Sequence, residues 1–320
     1  MLECIAPGLL ATIQDTGRYG MQSQGIGTAG AMDVFALRVA NALLGNPRTA
    51  PALEITLGGA EFIALETAWY ALCGADLGAT LDGTEVPLCA PFRMTAGQRL
   101  RLPAARRGQR ACLAISGGFV ADVVFGSAST DLRCGFGGLL GRGLTRGDRL
   151  FSRGLCEPAR LPSRVFTSLA HPALVSQEPL ALLPGPALAL LSAEDRERFL
   201  HESFTVSRAS DRMGLRLEQA LASAARLPQA LSEPVAFGTV QLPPDGKCIV
   251  LGADRQTTGG YPVAGVVASV DHGRLAQLRP GETLRFRVTG FDEAHRAWQA
   301  REKQIAQLAI VAGAWWKDER

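Results

Sequence analysis

Glycine restricts the folding of this chain more than any other residue type, because 36 of 320 positions are glycine and they are scattered along the whole length. Glycine weakens the interior of a helix and favours tight turns. Between the glycines stand short runs rich in β-branched and apolar residues. "EITLGGAEFIAL", "AWYALCGADLGATLDG" and "QRLRLPAARRGQRACLAISGG" read as strands joined by turns at short spacing, the pattern of a barrel or sandwich. Helical periodicity is confined to three places. These are the residues after Gly30, the stretch "SAEDRERFL" around Arg196, and the segment from Asp292 to Ala312. A mainly β fold with a few helices is therefore expected.

The chain is long enough for two domains. A Pro-, Ser- and Leu-rich segment without periodicity suggests a division into residues 1–160, a linker at 161–186, and residues 187–320. The two sides echo each other in order. "ALCGAD" returns as "VLGAD", "AGQRLRL" as "PGETLRF", and "DTGRYG" as "DRMG", which predicts a duplicated β-rich domain. Paired domains usually place a ligand site between them.

Composition excludes several classes. A net charge of +3 gives no basic face for nucleic acid. The longest apolar stretch, "PLALLPGPALALLSA", is broken by Pro184 and Pro186 and is too short to span a membrane. Seven cysteines, an odd number without a C-x-x-C pair, predict free thiols in a reducing compartment. With no basic stretch at the N-terminus to start a signal peptide, a cytoplasmic protein is expected. The four histidines are far apart, so no metal site is expected.

"GIGTAG" at Gly25–Gly30 fits the G-x-G-x-x-G fingerprint of dinucleotide-binding loops. That loop needs a strand before it, and "QDTGRYGMQSQ" is polar and glycine-rich. No Walker loop and no G-x-S-x-G elbow occurs, and "ISGG" reads as a turn after a strand. Polar groups gather elsewhere. "ADRQTTGGYP" follows the apolar run "CIVLG" and joins Asp254, Arg255, Gln256, Thr257, Gly259, Gly260 and Tyr261, read either as a ligand loop or as a β-hairpin with polar turn residues. "ASDRMGLRLE" sets Asp211, Arg212 and Arg216 close together, the arginines spaced to share one side of a helix or strand and grip a carboxylate or phosphate; a surface ion pair is the alternative. Gln241 precedes a Pro-Pro-Asp-Gly turn. "STDLRCGFGGLLGRGL" offers backbone N–H groups for an anion nest.

Taken in order, "PGLLATIQDTGRYG", "GTAGAMDVFALRVANALLGNP", "ALEITLGG", "STDLRCGFGG", "SDRMGLRLE", "VQLPPDG", "ADRQTTGGYP" and "LAQLRPGETLRF" resemble one family across nearly the whole chain. It is the carboxyltransferase-type family that includes the C subunit of 5-oxoprolinase, the second subunit of allophanate hydrolase and the antagonist of a sporulation-kinase inhibitor. The resemblance implies two cyclophilin-like β-barrel domains in tandem. It also implies ATP-dependent opening of the lactam of 5-oxoproline to glutamate, with a second cyclophilin-like subunit (B-like) and a third, A-like subunit. Phosphorylation of the lactam oxygen would make an inert amide carbon electrophilic. The ATP site would lie in this chain or be shared with a partner.

By the same resemblance, Asp211, Arg212, Arg216, Gln241, Asp254, Gln256, Thr257, Gly259, Gly260 and Tyr261 surround the substrate, with Asp15, Arg18 and Asp33 as first-domain counterparts. Asp254 is the candidate acid/base, and Arg212 or Arg216 the carboxylate clamp. One departure is that "GSAST" carries Ala128 where the family usually has an arginine, removing a guanidinium that would hold an anion. Two further readings stay open. One is carboxyl transfer from carboxybiotin on another protein, since this chain has no Met-Lys-Met attachment site. The other is non-catalytic binding of a kinase inhibitor.

Overall fold

The computed structural model describes residues 1–154, 158, 178–228 and 230–316. These are mostly β-structure with four α-helices. They form two compact units, one drawn from Met1–Arg18, Ala29–Val175 and Glu302–Arg320, the other from Tyr19–Thr28 and Ser176–Arg301. Residues 161–177 of the expected linker lie outside the described residues, and its last part, 180–184, is a strand.

The first unit contains β1 (Leu2–Pro7), β2 (Leu10–Gln14), α1 (Val34–Leu43), β3 (Ala52–Thr56), β4 (Ala60–Ala64), β5 (Ala68–Asp76), β6 (Thr80–Leu81) and β7 (Thr84–Glu85). It continues with β8 (Pro91–Met94), β9 (Arg99–Leu102), β10 (Arg107–Ile115) and β11 (Arg149–Leu150). Two sheets result, ordered β11-β1-β4-β9-β6-β7 and β2-β3-β10-β5-β8.

Alternation along the central strands explains why they are apolar throughout. Tyr70 and Leu72 of β5, with Ala111, Leu113 and Ile115 of β10, join the core that holds Leu2, Phe62 and Leu100. The intervening Trp69, Ala71, Cys73, Cys112 and Ala114 face the other way, against Ala36, Leu37, Val39, Ala40 and Leu43 of α1. That second face needs small residues, which is why two cysteines sit there. All six described cysteines are free thiols.

The second unit contains β12 (Leu180–Pro184), α2 (Ala193–His201), β13 (Phe204–Thr205), β14 (Gly214–Ala220), β15 (Glu233–Pro234), β16 (Thr239–Gln241), β17 (Lys247–Leu251) and β18 (Thr258–Gly259). β19 (Val263–Val267), α3 (His272–Gln277), β20 (Thr283–Leu284) and β21 (Phe286–Val288) follow, and α4 (Phe291–Trp316) closes the chain. The main sheet runs β14-β17-β16-β19-β12-β21, with only β12 and β21 parallel. Phe199 of α2 stacks on Phe286 of β21 at 4.8 Å, and Phe204 completes an aromatic cluster.

Gly25–Gly30 is no dinucleotide turn. A single 3-10 turn, Gln22–Gln24, precedes it instead of a strand. Gly30 has φ +94°, and a Cβ there would stand 2.9 Å from the Gly17 Cα, so two backbone segments touch where a side chain cannot fit.

Candidate functional site

The candidate residues of the second unit are positioned by the β14–β17 pairing. Gly214 pairs with Leu251. Beyond the strand ends the ladder goes on, since Gly252 N donates to Met213 O at 2.8 Å and Asp254 N to Arg212 O at 3.0 Å. This sets the two side chains against each other. Arg212 Nε donates to Asp254 Oδ2 at 2.8 Å and Nη2 to Oδ1 at 2.9 Å. Arg212 is 6% exposed, so this two-pronged ion pair is largely removed from water.

Around the pair the loop 253–261 is tied down from several sides. Arg255 is buried and donates to Val235 O at 3.1 Å and Gly252 O at 3.3 Å. Burial pulls its guanidinium below the usual arginine value, while Tyr19 and Asp254 oppose that shift. Gln22 Nε2 donates to Val235 O and Thr257 O at 3.0 and 2.7 Å. Gln241, 1% exposed, has no partner for its Nε2, and Gln256 Nε2 approaches its Oε1 at 3.5 Å. Gly259 lies over this amide so closely that a Cβ would collide with Nε2. The Gln241 amide is thus a buried donor without an acceptor, and the Arg212–Asp254 pair is a fixed guanidinium–carboxylate pair of the same unit.

Arg212 and Arg216 do not act as one clamp. Arg212 precedes β14 and is buried on Asp254, whereas Arg216 lies within β14 with an exposed side chain. Asp211 is exposed, and its Oδ1 accepts from Met213 N at 2.7 Å and Gly214 N at 3.2 Å, closing the turn into the strand. Tyr261 and Arg216 line one groove. Thr257 contributes backbone, its carbonyl receiving the Val235 and Gln22 N–H groups, and a Cβ at Gly260 would stand 3.2 Å from Ser232 Oγ.

The first-unit candidates form their own cluster. Asp15 Oδ1 accepts from Gly17 N at 2.8 Å, Ser127 Oγ at 2.7 Å and Ser129 Oγ at 2.5 Å. Its Oδ2 accepts from Ala128 N at 2.7 Å. Ala128 itself is buried and meets Asp15 through its backbone N–H. Arg18, 1% exposed, donates to Val124 O and Ser129 O and stacks over Phe136, with Nη1 left without a partner. Burial lowers its pKa, with Asp131 and Asp15 opposing. Asp33 is fully buried and caps α1 through Ala36 N at 2.9 Å.

Two residues of this site carry little signal in the sequence. Gln22 has no motif, and only its place in a polar loop hints at a tie. Arg255 stands within a polar stretch, yet its neighbours look better suited to a ligand. The glycine-rich loop 134–143 spends its N–H groups internally: Gly135, Gly138 and Gly141 donate to Asp131 O, Ala128 O and Gly137 O. Those three amides are not turned outward to an anion. Among the described residues no group of three or more His, Cys, Asp or Glu side chains could hold a metal ion.

The chain is 38% identical over 310 residues to the 5-oxoprolinase C subunit of Escherichia coli (strain K12), covering 97% of this chain and 98% of that one. It is 34% identical to the protein of the same name from Haemophilus influenzae, with the same coverage. Among solved structures, the urea carboxylase of Kluyveromyces lactis superposes with a TM-score of 0.84 at 27% identity, over 96% of this chain but only 29% of that longer one. Residues 24–288 match the family model described as "Carboxyltransferase domain, subdomain A and B". The collinear motifs, the β-rich fold and this match over most of the chain agree, and the chain belongs to the carboxyltransferase domain family, subdomain A and B.

Proposed function

We propose that this chain is one component of an ATP-dependent 5-oxoprolinase that opens the lactam of 5-oxoproline to glutamate together with B-like and A-like partner subunits. The observation that carries the reading is end-to-end similarity, at 38% identity, to a protein named as the C subunit of that enzyme. The second unit supplies chemistry in keeping with it. The unpartnered Gln241 amide suits a lactam carbonyl, and Asp254, oriented by Arg212, is the acid/base candidate. Each oxygen of Asp254 keeps a second lone pair beyond its bond to Arg212, so the carboxylate can still take a proton from an attacking water.

ATP, when bound in the complex, would supply the phosphoryl group that activates the lactam oxygen. The glycine-rich loop is a poor triphosphate cradle at Gly135, Gly138 and Gly141, whose amides are already bonded to protein carbonyls, and the sequence has no Walker loop. The nucleotide therefore belongs with the partner subunits in this reading. Carboxyl transfer is the weaker reading, since the urea carboxylase relative extends far beyond this chain.

The test is co-expression with the B-like and A-like subunits, followed by measurement of glutamate released from 5-oxoproline with and without ATP. Glutamate that appears only when this chain and ATP are both present supports the proposal. A stable complex that forms no glutamate at saturating substrate would rule it out.

A further inference from the structure

Alternation along β14 sends Leu215 and Leu217 inward and Arg216 and Glu218 outward. On the outward face lies a groove of about 400 Å³, lined among others by Ser207, Arg216, Pro243, Lys247, Ile249 and Tyr261. That volume suits a small molecule. The charges in the groove are equal in number but not all paired. Lys247 Nζ lies 3.8 Å from Glu218, and Asp245 Oδ1 accepts from Lys247 N at 3.0 Å. Asp211 is engaged in its own turn. The Arg216 guanidinium has no ion pair or hydrogen bond among the described residues. The groove thus has two cations and two acids, and one of the cations, the Arg216 guanidinium, is a fork without a carboxylate.

We infer that Arg216 anchors the carboxylate of a small, otherwise uncharged ligand in this groove, and, resting on the 5-oxoprolinase reading, that this ligand is the substrate. Glu218 and Asp245 balance Lys247 and Arg216, so a polyanion meets as much repulsion as attraction, whereas one carboxylate needs only the single fork. Pro243, Pro244 and Ile249 offer an apolar wall for an uncharged ring. The exposed Tyr261 adds a phenol for an amide group. Cross-strand register fixes the direction. Arg216 pairs with Ile249, and Ile249 with Gln241, so one row across the sheet face leads from the guanidinium to the buried amide two strands away. A ligand held at Arg216 in this groove lies over Ile249, the middle residue of that row. This separates the two arginines that share a motif: Arg212 orients Asp254, and Arg216 reads the carboxylate.

The test uses the reconstituted complex and the full chain with Arg216→Met and Arg216→Lys. Arg216→Met should raise KM for 5-oxoproline about ten- to a hundredfold with little change in kcat, and Arg216→Lys should recover part of the loss. An unchanged KM in Arg216→Met would overturn the inference while leaving the function standing. Independently, amide chemical shifts of Ile249 and Tyr261 should respond to 5-oxoproline in the full chain but not in Arg216→Met. 2-Pyrrolidinone, the lactam without a carboxylate, should respond weakly and equally in both. Inorganic phosphate binding more tightly than 5-oxoproline would overturn the monocarboxylate class. If the wild-type complex forms no glutamate but the Arg216-dependent shifts appear, the function fails and the carboxylate site remains. If neither appears, both fail.

Discussion

At the scale of single residues, the Arg212–Asp254 pair decides what can be changed. Two largely buried charges hold each other, so removing Asp254 takes away the two-pronged carboxylate partner of Arg212. Asp254→Ala should destabilise the chain by about 3–5 kcal/mol, seen as an earlier urea midpoint. Asp254→Asn keeps the shape and is the better kinetic probe. If that variant folds and its complex turns over 5-oxoproline at the wild-type rate, Asp254 is no acid/base. Gly259 gives a second expectation. A Cβ there meets the Gln241 amide, so Gly259→Ala should weaken 5-oxoproline turnover by displacing that amide, with a smaller effect on stability. The residue types of the cluster are legible in the sequence; their pairing is not. Arg212 and Arg216 look equivalent four positions apart, and only the start of β14 at Gly214 separates a buried ion pair from an outward-facing guanidinium.

At the scale of elements, the helix at the C-terminus shows what periodicity can and cannot tell. The segment Asp292–Ala312 reads as a helix, and Phe291–Trp316 is one. Its later part belongs to the first unit. Ile305 and Leu308 join the core under α1, Glu302 is bonded to Arg38, and Trp316 Nε1 donates to Leu43 O at 3.0 Å. Trp316 also meets Trp69 edge-on at 6.2 Å. A chain ending at Arg301 should therefore lose several kcal/mol or fail to fold, because α1 would keep an uncovered apolar face; thermal unfolding of the truncated chain measures this. The sequence shows the helix but not its destination, since a sequence distance of about 260 residues carries no local signal.

The short helix α3 is invisible in the sequence because six residues give no periodicity, yet it carries a pH response. His272 packs on Phe237 at 4.3 Å, and its Nε2 contacts Val267 O. Burial lowers its pKa to about 4, with Arg255 acting in the same direction and Asp271 against it. The unfolded chain, with an ordinary value near 6.5, takes up the proton first. Stability contributed by the neutral ring is complete above that value and is lost as pH falls from about 6.5 toward 4. At pH 5 the loss should reach about 2 kcal/mol. Urea midpoints at pH 7 and pH 5 should differ accordingly, and His272→Gln should reduce the difference.

At the scale of the whole molecule, the two halves share a device but not a site. Asp15 and Asp211 each accept a bond from the N–H two residues on, yet Asp15 is saturated by Ser127, Ala128 and Ser129, while Asp211 stays exposed. The echo of "DTGRYG" in "DRMG" therefore marks the same turn bond, with different surroundings for its acid in the two units. The unpartnered Gln241 amide, the Asp254 carboxylate and the solvent-facing Arg216 all belong to the second unit, and the Gly135, Gly138 and Gly141 amides of the glycine-rich loop are bonded to protein carbonyls. A chain so equipped should position a lactam but not activate it. Incubated alone with 5-oxoproline and ATP it should form no glutamate, and adding the partner subunits should restore turnover. Avidin separates this from carboxyl transfer, because an enzyme relying on carboxybiotin loses activity when avidin sequesters the cofactor. Glutamate formation that avidin leaves untouched is the expected result; inhibition by avidin would move the chain to the chemistry of its urea carboxylase relatives.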